Sequence, residues 1–177
     1  MTSLSSSNKR LFIVDDRRSG DLRSTLGPSW RLITDGVMGG LSSGRVDTGE
    51  VAGRPCLCLR GQVRLDRNGG FVQAGITLAE DLPFDASGFA GVLLDVYGND
   101  EAYNIHLRTA NLWQPWQSYR VSFIARPRWQ TLKLPFDEFR PHRVGVPPDF
   151  RQLTRIGLVA IGRAFTADVC VARIAFC

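Results

Sequence analysis

Few residues in this chain of 177 are suited to catalysis. Histidine occurs only at His106 and His142, so a histidine-rich metal site is excluded. Neither histidine has an evident serine on a strained turn as a nucleophile, and Asp95 lacks an evident second carboxylate for glycoside hydrolysis. Without a pair of base and nucleophile, the sequence predicts a non-enzymatic protein with no catalytic residue, no cofactor and no metal.

Polar side chains alternate with apolar ones along several predicted strands, and this pattern favours a binding face. Between positions 103 and 109, for example, polar Asn104, His106 and Arg108 alternate with Tyr103, Ile105 and Leu107. Amide, carboxylate, guanidinium and aromatic groups together bind polyhydroxylated or polar peptide ligands. The predicted ligand face consists of Gln73, Asp95, Asn104, His106, Arg108, Ser118 and Arg120, with Trp113 and Trp116 at a loop edge.

The alternative is a solvated outer face without a ligand. In that case arginines and aspartates pair across strands, and the two tryptophans pack under a loop. His106 is then a hydrogen-bonding residue of the polar strand face.

Charge and hydropathy exclude several other classes of protein. The net charge is +5, but the basic residues are scattered singly, so nucleic-acid binding is not predicted. The N-terminal sequence has no secretory signal pattern, and no stretch approaches the roughly 18 apolar residues of a membrane span. We therefore expect a cytoplasmic location and no membrane insertion.

Four cysteines occur, at positions 56, 58, 170 and 177. Without a secretory signal, we expect reduced thiols. Cys56 and Cys58 would lie on one side of a strand, where C-x-C is a weak pair of zinc ligands, so these residues are expected to be small buried side chains.

The elements that must position these residues are short strands. About ten apolar or alternating segments, separated by turn residues, predict an all-β sandwich or barrel of antiparallel sheets. Residues 140–148, with three prolines, are expected to form an irregular loop. We expect a disordered polar tail over residues 1–10 and one β-sandwich domain over residues 11–177.

A glycine-rich stretch over residues 30–44, WRLITDGVMGGLSSG, predicts a structured loop after a strand. Its Asp-Gly and Gly-Gly pairs allow positive φ angles, and Val37 and Met38 at its centre are unlike a flexible linker. Met38 is expected to pack the loop onto the sandwich.

Several motifs together resemble the complex I intermediate-associated protein family. The specific one contains Trp30, Asp35, Gly36, Val37, Met38, Gly39, Gly40 and Ser42. It is followed by N-G-G-F at residues 68–71, Y-x-I-x-L-R-T at residues 103–109 and WQTLKLPFDEF at residues 129–139.

The resemblance implies a galactose-binding-like jelly roll of two antiparallel sheets. It also implies a non-catalytic, protein-binding assembly or accessory factor for the respiratory NADH:ubiquinone oxidoreductase, with respiratory-complex subunits as partners. The alternative is a carbohydrate-binding module that uses Trp113, Trp116 and the polar sheet face.

Overall fold

The computed structural model describes residues 10–177, so most of the predicted N-terminal tail lies outside the described residues. The described part of the chain contains twelve strands. They are β1 (Phe12–Asp15), β2 (Arg31–Thr34), β3 (Ser43–Val51), β4 (Arg54–Val63), β5 (Phe71–Thr77), β6 (Gly91–Tyr97), β7 (Glu101–Thr109), β8 (Ser118–Ala125), β9 (Gln130–Pro135), β10 (Arg140–His142), β11 (Leu153–Ile161) and β12 (Phe165–Phe176). Short 3₁₀ helices connect some of them, at Asp35–Met38, Asp66–Asn68, Phe136–Glu138 and Phe150–Gln152. Among residues 10–177 there is no helix with the length and hydropathy of a membrane span.

The strands form two antiparallel sheets, which confirms the predicted all-β sandwich. Sheet I has the strand order β3-β4-β12-β6-β9, and β1 pairs with β12. Sheet II has the order β10-β8-β7-β11-β5-β2. The strand β10 lies within the predicted irregular loop; Arg140 to His142 pair with β8 despite Pro141 because an edge strand tolerates a missing amide.

The core lies between the sheets and follows from strand alternation. Tyr103, Ile105 and Leu107 of β7 are fully buried, as the alternating pattern predicts. The neighbouring strand β11 buries Ile156 and Leu158 on the same side. The intervening residues of each strand therefore lie on the outer side of sheet II.

The carboxylate of Asp35 joins the two sheets at one corner of the sandwich. Asp35 is fully buried, and its Oδ2 accepts hydrogen bonds from the Ser42 hydroxyl at 2.5 Å and the Gly70 amide at 2.6 Å. The Ser42 and Phe71 amides donate to the same carboxylate, while the Ser42 hydroxyl accepts from the Arg64 amide. One side chain thereby connects the end of β2 to the beginning of β5 in sheet II and to the chain around β3 and β4 in sheet I.

These hydrogen bonds hold Asp35 in its charged form. Burial alone would raise the pKa of this carboxyl, but the Ser42 hydroxyl and the Gly70, Phe71 and Ser42 amides outweigh it and keep the pKa below the ordinary 3.8. The stabilisation from this ionised state is therefore complete above pH 3.8 and is lost as the pH falls through the lower pKa of the folded protein.

The glycines of the loop leave room for this carboxylate. A Cβ atom at Gly40 would overlap Asp35 Cγ, and one at Gly69 would lie 2.5 Å from Asp35 Oδ2. Gly39 has a φ of 82° and ends the 3₁₀ helix Asp35–Met38, a conformation that side chains resist. The spacing of aspartate, glycines and serine in the motif is thus explained by packing around one buried charge.

The predicted packing of Met38 onto the sandwich is wrong. Val37 is 74% exposed and Met38 is 51% exposed, whereas the adjacent Asp35 is buried. The loop turns at Asp35 because four donors surround this side chain, and the 3₁₀ helix then carries the two apolar residues outward.

The expectation of reduced thiols is also wrong for two of the four cysteines. Cys58 and Cys170 face each other on β4 and β12, with 4.0 Å between their Cα atoms, and form a disulfide. Cys56 is a buried free thiol and Cys177 is a half-buried one. The cross-strand partner, 112 residues away along the chain, is fixed by the strand register, which the sequence does not display.

Replacing Gly40 with valine tests the packing around Asp35. Because the new side chain must displace the buried carboxylate, we expect the free energy of unfolding to fall by about 1–3 kcal/mol. Gly39→Val should also destabilise, through its positive φ. Denaturant unfolding measures both, with Gly49→Val as the matched control, because a Cβ at Gly49 meets no atom within 4 Å. Equal stability of Gly40→Val and the control would contradict this structure of the loop.

Candidate binding face

The outer side of sheet II gathers basic side chains from strands that are distant in sequence. One row crosses all six strands and contains Arg31, Gly75, Gly157, His106, Arg120 and Arg140. Arg155 of β11 lies in the neighbouring row, opposite Thr77 and Arg108. We name this surface the cationic face and define it by Arg31, His106, Arg120, Arg140 and Arg155.

Carboxylates are nearly absent from these strands. The six strands of sheet II contain five arginines, namely Arg31 and Arg155 with Arg108, Arg120 and Arg140. Their only acidic residue is Glu101, at the beginning of β7, and Glu101 pairs with Arg163 instead. With neutral histidines the strands carry five positive charges less one, or +4 of the net +5 of the chain.

Sheet I is balanced by contrast. Its six strands contain five carboxylates (Asp15, Asp47, Glu50, Asp95 and Asp168) and five basic residues (Arg45, Arg54, Arg60, Lys133 and Arg173). Many of these form ion pairs on its outer side, such as Arg60 with Asp168 at 3.0 Å. The solvated face with cross-strand ion pairs, one of the two sequence interpretations, therefore describes sheet I.

Burial and neighbouring cations lower the pKa values of two arginines in sheet II. Burial, with a smaller contribution from Arg143, lowers the pKa of Arg120 to about 10. Burial lowers the pKa of Arg108 as well, and Arg155 adds to that effect. No carboxylate within residues 10–177 offsets these repulsions at the two sites, so a negatively charged group placed there would relieve them.

His106 lies at the centre of the row and is only 7% exposed. Burial, with contributions from Arg120 and His142, lowers its pKa from 6.5 to about 3. The imidazole is therefore neutral at pH 7, and its buried Nε2 has no hydrogen-bond partner. Burial and Arg120 also lower the pKa of His142, and neither histidine hydrogen-bonds a carboxylate within residues 10–177.

Arg108 has a positioning role in the loop that carries the two tryptophans. Its guanidinium donates to the backbone oxygens of Leu112, Gln114, Pro115 and Gln117. These bonds fold residues 110–117 against the outer side of sheet II. The loop leaves Trp113 79% exposed and Trp116 43% exposed, so both rings lie at the surface and do not pack beneath the loop.

Other residues of the predicted ligand face bond to one another. Ser118 is buried and accepts a hydrogen bond from Arg120 Nε at 2.7 Å. Asn104 Oδ1 accepts one from the Ser122 hydroxyl at 2.7 Å. The amide of Gln73 lies over the two glycines of the row, because a Cβ on Gly157 would lie 2.7 Å from Gln73 Nε2.

The prediction that Asp95 shares this face is wrong. Asp95 lies on β6, in sheet I, and is 2% exposed. Its carboxylate pairs with Arg54 at 2.9 Å and Arg173 at 3.0 Å and accepts a hydrogen bond from Thr131 at 2.6 Å. Strand parity places Asp95 on an outer side correctly, but parity does not say which sheet a strand joins.

A cluster of three cysteines, outside the cationic face, contains side chains that could react or bind a metal ion. The sulfur atoms of Cys56, Cys58 and Cys170 lie within 4.8 Å of one another, but the disulfide leaves only one thiol among them. Burial raises the pKa of that Cys56 thiol, which makes it less reactive.

Ser42 is the central residue of a G-x-S-x-G sequence at residues 40–44, a pattern found at the nucleophile of serine hydrolases. Here Ser42 is only 8% exposed. Its hydroxyl donates a hydrogen bond to the Asp35 carboxylate and accepts one from the Arg64 amide. The pattern in this chain has a structural explanation.

Two surface depressions, of about 460 and 490 Å³, lie around residues 136–150, and the larger one is lined in part by Arg140 at the end of the cationic row. Both are lined by Phe136, Phe150, Pro147 and Pro148. Neither lining contains a histidine or cysteine.

Comparison with known proteins gives one family and one fold. The family described as complex I intermediate-associated protein 30 (CIA30) matches residues 21–167. No curated protein matches the chain.

Solved structures of carbohydrate-binding modules share the fold. A family 11 module from Clostridium thermocellum, in complex with a β-1,3-1,4-mixed-linked tetrasaccharide, is 14% identical with a TM-score of 0.71 and covers 96% of both chains. A family 30 module of a Clostridium thermocellum cellulosomal cellulase is 18% identical with a TM-score of 0.57, covering 96% of this chain and 93% of that one. At these identities the likeness establishes the jelly-roll sandwich alone.

The neutral state of His106 predicts a pH-dependent stability. Because the folded pKa lies below the unfolded value near 6.5, protonation favours unfolding, and stability falls as the pH drops from 6.5 towards 3. Between pH 6.5 and pH 5 this amounts to about 2 kcal/mol. We expect His106→Gln to remove that loss in denaturant unfolding, whereas His142→Gln should remove much less. An unchanged pH profile in His106→Gln would contradict the burial of a neutral imidazole.

Proposed function

The chain belongs to the complex I intermediate-associated protein 30 family, and we propose that it is a non-catalytic, protein-binding assembly or accessory factor for respiratory complex I. The cationic face carries this proposal. It presents guanidinium groups at both edge strands of sheet II and on β8 and β11, while its histidine, His106, has no carboxylate partner for general acid–base catalysis among residues 10–177. Such a surface is suited to holding a partner protein in a fixed orientation.

The second candidate is carbohydrate binding, which the shared fold and the exposed Trp113 and Trp116 favour. Tryptophan rings at the edge of a sheet can stack on sugar rings. The strands of the cationic face, however, place no tryptophan or tyrosine on their outer side, since Tyr103 and Tyr119 are buried in the core. Protein binding is therefore the better supported of the two.

The cytoplasmic location stays a prediction. The disulfide between Cys58 and Cys170 is more typical of proteins in oxidising compartments.

Affinity capture from cells of the natural host tests the proposed function. A tagged chain at its native level, chemically cross-linked before lysis, should recover subunits of the respiratory NADH:ubiquinone oxidoreductase. The control is Gly40→Val, which disturbs the fold at Asp35 and should recover fewer subunits at equal abundance. Recovery of no respiratory subunit by the unaltered chain would overturn the assembly role.

Calorimetric titration with the mixed-linked tetrasaccharide tests the second candidate, and heat of binding abolished by Trp113→Ala with Trp116→Ala would favour it.

A further inference from the structure

The charge of the cationic face indicates the chemistry of its ligand. Resting on the proposed function, we propose that the cationic face binds an extended, acidic segment of a partner protein. Arg31, Arg120, Arg140 and Arg155 form no ion pair with any residue in positions 10–177. Eleven other arginines do form ion pairs within the protein. Of the four guanidinium groups on this face, that of Arg120 donates to the Ser118 hydroxyl and that of Arg140 to the Asp137 backbone oxygen, whereas those of Arg31 and Arg155 donate to no other residue in positions 10–177.

The dimensions of the row favour an extended ligand. Arg31 on β2 and Arg140 on β10 belong to the two edge strands of sheet II. Five spacings between strands, of about 4.8 Å each, separate them by about 24 Å. An extended peptide of about seven residues covers this distance, at about 3.3 Å per residue.

The type of donor favours carboxylates over neutral sugars. A guanidinium group only donates hydrogen bonds, and its planar fork matches a carboxylate in a bidentate arrangement. A neutral sugar offers hydroxyl groups that need acceptors as well as donors, and a guanidinium group provides no acceptor. The arginines at the two ends of the row, Arg31 and Arg140, are exposed, so their side chains are accessible to a ligand.

Apolar residues beside the row favour a polypeptide over an acidic polysaccharide. Ile33 of β2 is half-buried and lies next to Gln73, in the row adjacent to the cationic one. Beyond them, Phe71 pairs with Ile161, and Ile124 of β8 is 41% exposed. A segment that alternates acidic and apolar side chains would satisfy both rows.

Titration of the purified protein with synthetic peptides tests this proposal. The probe is a fluorescein-labelled octapeptide of alternating glutamate and valine, and the comparison peptide has glutamine at each glutamate position. We expect the acidic peptide to bind and the glutamine peptide to bind at least about tenfold more weakly, with affinity falling as salt rises. Arg31→Gln combined with Arg155→Gln should weaken binding of the acidic peptide by at least about tenfold. Neither guanidinium hydrogen-bonds another residue in positions 10–177, so the substitutions should leave the fold intact.

A matched control separates the face from net charge. Arg45→Gln combined with Arg64→Gln removes the same charge from surface arginines that pair with Asp47 and Asp66, and it should leave peptide binding unchanged. Equal losses in both double variants, or no binding of the acidic peptide, would overturn the proposal. Tighter binding of polygalacturonate or of a thymidine 20-mer than of the peptide would also overturn it, in favour of an anionic polysaccharide or a nucleic acid.

The two proposals can fail independently. Cross-linked respiratory subunits together with an unbound acidic peptide would keep the assembly role and place the partner on another surface. Peptide binding without any respiratory subunit in the capture would keep the ligand chemistry and remove the assembly role.

Discussion

The ionised carboxylate of Asp35, enclosed by Ser42, Gly70 and Phe71, is the interaction on which the arrangement of both sheets depends. A buried charge is costly unless hydrogen bonds replace its hydration, and here backbone amides and a hydroxyl do so. Because the donors come from chain segments that belong to different sheets, satisfying the charge also fixes how these segments meet. The surrounding glycines are required by the space that the carboxylate occupies.

The consequence for the candidate site is a fixed edge of sheet II. Asp35 directly follows β2, the edge strand that carries Arg31, and binds the beginning of β5, with which β2 pairs. At the opposite edge, β10 places Arg140 beside Arg120. The cationic face therefore depends on strand register at both edges, and its charges are arranged on backbone that is itself hydrogen-bonded. Such a rigid surface binds a partner without first having to be ordered.

Much of the fold could be predicted from alternation alone. The pattern in β7 and β8 predicts which residues are buried, and Tyr103 and Tyr119 confirm it. The motif around Asp35 indicates a structured loop, but not which side chain it buries. The sequence predicted that Met38 would be the buried side chain of the loop, because it is apolar. In the structure the buried side chain is Asp35, because amides from a segment 35 residues away donate hydrogen bonds to its carboxylate.

The candidate site was less predictable, since sheet order brings distant strands together. Arg31, Arg140 and Arg155 were absent from the predicted ligand face, although each occupies an outward position on its strand. The signal that could have identified them is the lack of acidic residues across those strands. The partners of Asp95 and Cys58 could not be predicted from the sequence for the same reason. Each is paired with a residue of β12 by the cross-strand register, which depends on the sheet order.

Denaturant unfolding of Asp35→Asn tests the central claim most directly. Asparagine keeps the shape but removes the charge and presents an amide to the existing donors, so we predict a loss of about 2–4 kcal/mol in unfolding free energy. Hydrogen exchange of the Gly70 and Phe71 amides should become faster. Asp100→Asn, an exposed aspartate at a positive φ that asparagine tolerates, is the control and should stay within about 0.5 kcal/mol of the unaltered chain. A loss in Asp35→Asn no larger than in Asp100→Asn, with unchanged amide exchange, would contradict the account.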